Sequence, residues 1–282
     1  MSENLSIYDN HKIPFIALVP FLLITFAITW GILSLFIFLP VQMSSVFGEL
    51  TGQHPLFYLC VYAPAIAAFA IVGYFGGYRG LKGFLSRLFL WRCSAGWYVF
   101  LIIGIPLIFY AGGLMKGSLF KEPFSFASFR SFCTPLLFAA IKGPVEEFGW
   151  RGFALPILQK KLAPLWAALI LGIIWGFWHL PAFFLSGTQQ SEWSFLAFLL
   201  GCIAISVIAT RLFNASRGSI LLPAIFHFML MNPIFPDAQP YDTYLLILFA
   251  ILVVLFNRQE MLTGYDAVTE IMRYDECEEV CP

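Results

Sequence analysis

The sequence predicts an all-α, polytopic transmembrane helical bundle of about eight spans. Three observations carry this. Of its 282 residues, 60% are hydrophobic and 11% charged, against roughly 45–50% apolar in soluble domains. The apolar residues form continuous runs of about the 20 residues that a spanning helix needs. The runs do not alternate with polar residues, which disfavours a transmembrane β-barrel. The formal net charge is zero, and nothing in the composition argues for a nucleic-acid partner.

The first run, 13–40, is too long for a signal h-region of about 7–15 residues, and no small-x-small cleavage site follows it. It reads as the first span, over 14–40. Further spans are expected near 55–77, 97–119, 131–158, 162–185, 193–212, 218–235 and 241–257. The last two are short. The fourth is long and carries charges, so it is expected to be a broken helix or a span followed by an interfacial helix. The polar tail 258–282, with Glu276, Glu278 and Glu279, is expected to be a short solvated helix or disordered. The organisation is then an N-terminal membrane region of three spans (1–130), a membrane core (131–257) and the tail.

Lysine and arginine give the orientation. With the N-terminus inside and eight crossings, cytoplasmic segments hold Lys12, Arg79, Lys82, Arg87, Arg92, Lys160, Lys161, Arg211, Arg217, Arg258 and Arg273. The outer loops hold Lys116, Lys121 and Arg130, and the fourth run holds Lys142 and Arg151. Both termini are therefore expected in the cytoplasm of a multi-pass membrane protein. The six cysteines (Cys60, Cys93, Cys133, Cys202, Cys277 and Cys281) form no CxxC pair, so they read as small hydrophobes rather than zinc ligands or disulfides.

The residues that do not belong in lipid point to the chemistry. Glu146 and Glu147 are adjacent inside an apolar run, while the other acids, Asp242 among them, read as tail or loop residues. A charge at the bilayer centre costs roughly 2.5–3.5 kcal/mol on insertion scales, so such groups face the bundle interior and mark function. On a helix, Glu147 and Arg151 share a face and pair. Glu146 points elsewhere, which leaves it the freer carboxylate and the candidate general base. Lys142 lies one turn before Glu146, within reach of it. A buried ion-pair network that only fixes packing is the plainer alternative, though an expensive one for two adjacent glutamates. His179 closes Trp175-Gly-Phe-Trp-His179, and His227 follows Pro223-Ala-Ile-Phe, with Met231 and Asn232 after it. Carboxylate and imidazole together activate water, directly or through a metal.

This pattern resembles the CAAX-protease and bacteriocin-processing (CPBP, or Abi) family of intramembrane endopeptidases. Glu146, Glu147 and Arg151 match its Glu-Glu-x-x-x-Arg motif. Trp175 and His179 match its aromatic-x-x-x-His motif, where Phe is commoner than Trp. His227 matches its third motif, but Met231 stands where the family has Asn, and Asn232 is one residue further on. The resemblance covers roughly 130–235. It implies a peptide-bond hydrolase whose substrate is a peptide or protein tail in the lipid bilayer, including prenylated tails. Carried over, Glu146 and His179 activate water, His227 steadies the oxyanion with Asn232 in support, and Arg151 orients Glu147. The zinc signature His-Glu-x-x-His is absent. Glu146, His179 and His227 would still make a three-ligand site for Zn2+ or another divalent metal, and family members are commonly called metalloproteases.

Two other functions stay open at this level. Met231 favours a non-proteolytic membrane scaffold or a bacteriocin-immunity protein. Buried Glu and His also serve proton-coupled transporters, although no repeated halves are visible. The catalytic reading makes one geometric demand. His179 lies about 25 Å along its helix from Leu162, at 1.5 Å per residue, and His227 about two turns into its own. They converge only through tilt, a helix break or shifted boundaries.

Overall fold

The structure, a computed structural model, describes residues 13–119 and 129–273. Lys12, Lys121, Cys277, Cys281 and the acidic Glu276, Glu278 and Glu279 lie outside the described residues. Within them the regular structure is helical throughout. The helices are α1 (Leu18–Phe38), a short α2 (Pro40–Phe47), α3 (Pro55–Leu85) and α4 (Ala95–Lys116, with a π turn at Phe100–Gly104). Next come α5 (Phe129–Gly149), a π turn (Trp150–Ala154) and α6 (Leu155–Gln159). The series closes with α7 (Pro164–Trp178), α8 (Phe195–Ala215), α9 (Leu221–Leu230), α10 (Tyr241–Phe256) and α11 (Arg258–Thr263).

Five helical segments are long and apolar enough to cross a membrane: Phe15–Phe38, Pro55–Phe89, Ala95–Lys116, Pro164–Phe184 and Phe195–Ala215. The fourth expected span is not broken. Helix α5 runs through the π turn into α6 without interruption. The expected seventh span is corrected. With ten residues, α9 is about 15 Å long, half of the roughly 30 Å hydrocarbon core.

Contacts sort the chain into two ends. At one end the Ile13 carbonyl accepts from Lys160 Nζ (2.6 Å), the Arg87 carbonyl from the Ile220 N–H (3.2 Å), and the Leu90 carbonyl from Ser219 Oγ (2.5 Å). At the other end Lys116 Nζ meets Asp237 Oδ2 at 2.5 Å, the His54 ring packs on Phe36, and Leu185 joins Leu33 and Cys60 in one apolar cluster. Among the described residues the long helices run between these two ends. The short α9 begins recessed from the first end, because Ser219 and Ile220 are fully buried and tied to the 87–90 segment.

At the first end one expectation fails and another holds only in part. Arg87, read as a loop charge, is 1% exposed and donates to the carbonyls of Gly218 (2.8 Å), Gly152 (3.0 Å) and Ile271 (3.0 Å). The tail begins as the expected short helix, α11, with Arg258, Gln259, Leu262 and Thr263 exposed, but it does not stay at the surface. After α11 the chain passes back into the bundle. There Val268 donates to Asn214 Oδ1 (3.1 Å) and accepts from Gln159 Nε2 (2.8 Å). Ile271 and Met272 are buried, and Gly83 lies so close to the Arg273 backbone that a Cβ there would overlap the carbonyl oxygen. Buried apolar side chains and buried backbone groups that need partners hold this strap in place.

Candidate active site

Prolines decide where the relevant helices stop and bend. Pro181 cannot continue α7, since it lacks an N–H and disfavours a helical residue before it. The helix therefore closes at His179, and a 3-10 turn, Leu180–Phe184, follows. The Trp178 carbonyl left free there accepts from Trp30 Nε1 (3.2 Å). Pro64 lies inside α3 and offers no N–H to the Cys60 carbonyl. Thr29 Oγ1 supplies that hydrogen bond (2.9 Å) and accepts another from Trp178 Nε1 (2.9 Å). The end of α7 is thus pinned to α1 and α3. Pro156 likewise offers nothing to the Gly152 carbonyl, which Arg87 serves instead. The π turn before it is a geometry often found beside functional sites, and here it begins three residues after Glu147.

The two glutamates have unlike surroundings. Glu147 and Arg151 are each 1% exposed. Arg151 Nη1 donates to Glu147 Oε1 at 2.9 Å, the pairing expected from their spacing. His227 Nδ1 meets the same oxygen at 2.7 Å, so a carboxylate that is itself paired with a guanidinium holds the second histidine's ring. The guanidinium also lies over the Trp175 ring, with Cζ 4.7 Å from the centroid. Glu146, 4% exposed, instead accepts from Trp175 Nε1 (2.9 Å) through Oε2. His179 Nδ1 lies 2.9 Å from the Trp175 carbonyl. A carbonyl only accepts, so Nδ1 carries the hydrogen and Nε2 of the neutral ring is free to accept. Trp175 is the hub: one side chain and its own carbonyl orient Glu146, Arg151 and His179.

Glu146, His179 and His227 line one cavity of about 550 Å³, together with Trp175, Met231 and Asn232. The cavity reaches the surface at the exposed Glu192 and Asp237. The depth mismatch is resolved by shifted boundaries: α7 ends at His179, and the recessed α9 carries His227 in its last turn. Glu147 and Arg151 stand behind the wall. Asn232 lines the cavity, but its Oδ1 accepts from the Ile234 N–H (3.0 Å), closing a turn before Pro236 rather than serving His227. Met231 packs its sulfur on Gly143, where any Cβ would overlap it and would sit 2.7 Å from the His227 ring. Lys142 forms no ion pair with Glu146. Its Nζ lies over the rings of Tyr58 (5.2 Å), Phe138 (5.5 Å) and Phe57 (5.7 Å). Asp242, read as a loop acid, is buried and lines the cavity. Its place at the polar edge of the last apolar run hid it. Among the described residues no three His, Cys, Asp or Glu side chains are grouped to hold one metal ion, so the expected set of Glu146, His179 and His227 does not form a ligand cluster in this geometry.

Comparison with known proteins falls on the same stretch. The family described as "Type II CAAX prenyl endopeptidase Rce1-like" matches residues 128–232. Over 198 residues the chain is 30% identical to "CAAX prenyl protease 2" of Methanococcus maripaludis, covering 63% of this chain and 72% of that protein. The chain belongs to the CAAX prenyl endopeptidase family. It is a membrane-embedded member of that protease family, and the Rce1-like match takes in Lys142, the glutamate pair, both histidines and Asn232. Asp242 and the strap over 264–273 lie beyond that match.

Proposed function

We propose that this CAAX prenyl endopeptidase relative is an intramembrane endopeptidase that hydrolyses a peptide bond near the C-terminus of a membrane-associated protein or small peptide, with prenylated tails among its substrates. One observation carries the reading: Glu146, His179 and His227 line a single cavity, and each is oriented by a hydrogen bond, the first two to Trp175 and the third to Glu147. Trp175 occupies Oε2 of Glu146 and leaves its second oxygen to take a proton from water. His179 Nε2 is the second acceptor for that water. The water oxygen bonds to the scissile carbonyl carbon as its proton passes to Glu146. His227 in its imidazolium form donates Nδ1–H to Glu147, and its Nε2–H then faces the oxyanion that forms. Collapse of the oxyanion breaks the C–N bond, and the proton held by Glu146 leaves with the amine.

No step in this scheme passes through a metal ion. Expression of wild type and Glu146→Gln in membranes, followed by cleavage of a tail peptide, tests the scheme. The expected loss is about 10²–10⁴-fold in kcat, the range general-base catalysis supplies. Equal cleavage sinks the assignment, and a cellular phenotype that survives Glu146→Gln favours a scaffold or immunity role. Chelation with and without added Zn2+ in the same assay discriminates the metal-free scheme from a zinc one.

The basic residues extend the reading to topology. Among the described residues, Arg79, Arg92, Lys160, Arg211, Arg217 and Arg258 belong to segments at the end opposite the cavity mouth, and Lys116 and Arg130 to segments at the mouth end. By the positive-inside rule both termini are then cytoplasmic and the cavity opens on the other side.

A further inference from the structure

We propose that Lys142 is the carboxylate receptor of this cavity, binding the free C-terminus of the peptide whose bond Glu146 attacks. The proposal rests on the endopeptidase reading and deepens it by naming the end of the substrate that the site recognises. The cavity wall among the described residues carries four carboxylates, Glu146, Glu192, Asp237 and Asp242, and a single lysine or arginine, Lys142. Asp237 is already matched by Lys116 at 2.5 Å. Among the charged groups of the wall, a negatively charged substrate group therefore finds attraction at Lys142 alone.

The state of that one cation fits the role. Lys142 Nζ has no carboxylate partner among the described residues. It is held instead over the three rings of Phe57, Tyr58 and Phe138, between 5.2 and 5.7 Å from their centroids. Ring faces stabilise an ammonium but accept none of its three hydrogens in the way an oxygen does. A lysine present only to snorkel would carry its head out to water. This one is half-buried, caged and turned to the cavity. The cage fixes the ammonium before a ligand arrives, so little side-chain entropy remains to be lost on binding.

The spacing suits a short tail. Lys142 and Glu146 are one helical turn apart on the same face of α5, about 5–6 Å between Cβ atoms, and the lysine stem adds reach toward the mouth. An extended chain covers about 3.3–3.6 Å per residue. Two or three residues therefore connect a bond at Glu146 to a carboxylate at Lys142. Recognition of the terminal charge would set where the bond is cut, counting from the free end.

The test compares one S-prenylated peptide, with three residues after its cysteine, as the C-terminal acid and as the C-terminal amide. The full-length protein is used in vesicles of zwitterionic lipid. Wild type is expected to favour the acid by about tenfold or more in kcat/KM, chiefly through KM, as for a hydrogen bond to a charged group. Lys142→Met should bring the acid-to-amide ratio near one, and Lys142→Arg should keep it well above one. A wild-type ratio near one, or a Lys142→Met ratio equal to wild type, overturns the proposal while leaving the endopeptidase standing. If wild type cleaves neither peptide, the endopeptidase reading falls and takes this one with it. Should Lys142→Met fail to fold, binding of acid and amide to Glu146→Gln decides the matter, and equal affinity overturns it. Adding anionic lipid separates the other source of negative charge. An effect that is equal on both peptides and lost in Lys142→Met would assign the ammonium to a lipid phosphate and overturn the carboxylate role.

Discussion

Glu147 sits between two basic groups, Arg151 at 2.9 Å and His227 at 2.7 Å, on one oxygen. Removing either member of the buried Glu147–Arg151 pair strands the other charge where water cannot reach it, at a cost of about 3–5 kcal/mol. Glu147→Gln and Arg151→Met are each expected to lower the thermal unfolding midpoint in detergent. The double variant should lose less than the sum of the two, since it strands nothing. Strict additivity would show that the pair is not coupled. At this scale the sequence was informative about the glutamates: an i, i+4 spacing on a helix determines which carboxylate pairs with Arg151. It said less about Asn232 and Lys142. Whether Asn232 turns toward His227 or into its own turn, and whether Lys142 meets Glu146 or three rings, depends on groups brought from elsewhere in the chain.

At the scale of elements, prolines free backbone carbonyls, and distant side chains take them up. The Cys60 carbonyl opposite Pro64 is served by Thr29, which also anchors Trp178 beside His179. Thr29→Val keeps the shape but leaves the carbonyl and the indole N–H without partners, each worth about 1–3 kcal/mol when buried. The expected result is a lower unfolding midpoint together with reduced kcat/KM, because the end of α7 loses its tether. Thr29→Ser should retain most of both. Full activity in Thr29→Val would show that His179 is placed by other contacts. The apolar runs announced the helices themselves, but not their lengths. Helix α9 stops at ten residues because its first turn is already buried against the 87–90 segment and its last precedes Pro233.

For the whole molecule, the separation of the basic end from the cavity mouth makes an experiment possible in intact cells. In a background without native cysteines, Asp237→Cys at the mouth should label with a membrane-impermeant maleimide applied outside. Arg258→Cys should label only after permeabilisation. The reverse pattern would place the cavity on the cytoplasmic side and the termini outside. The result bears on substrates, since it decides whether the site meets peptides before or after they cross the bilayer.

The sequence by itself determined the fold class and the motif residues. Continuous apolar runs have few options in lipid, where every backbone group must be satisfied within its own helix, and helical spacing fixes near neighbours. Tertiary structure alone decided the rest. It buried Arg87 under three carbonyls, drew the strap over 264–273 into the bundle, brought Asp242 to the cavity and recessed α9 so that His227 and His179 share one wall. Each of these depends on contacts between residues far apart in the chain, where hydropathy and periodicity carry no information about partners.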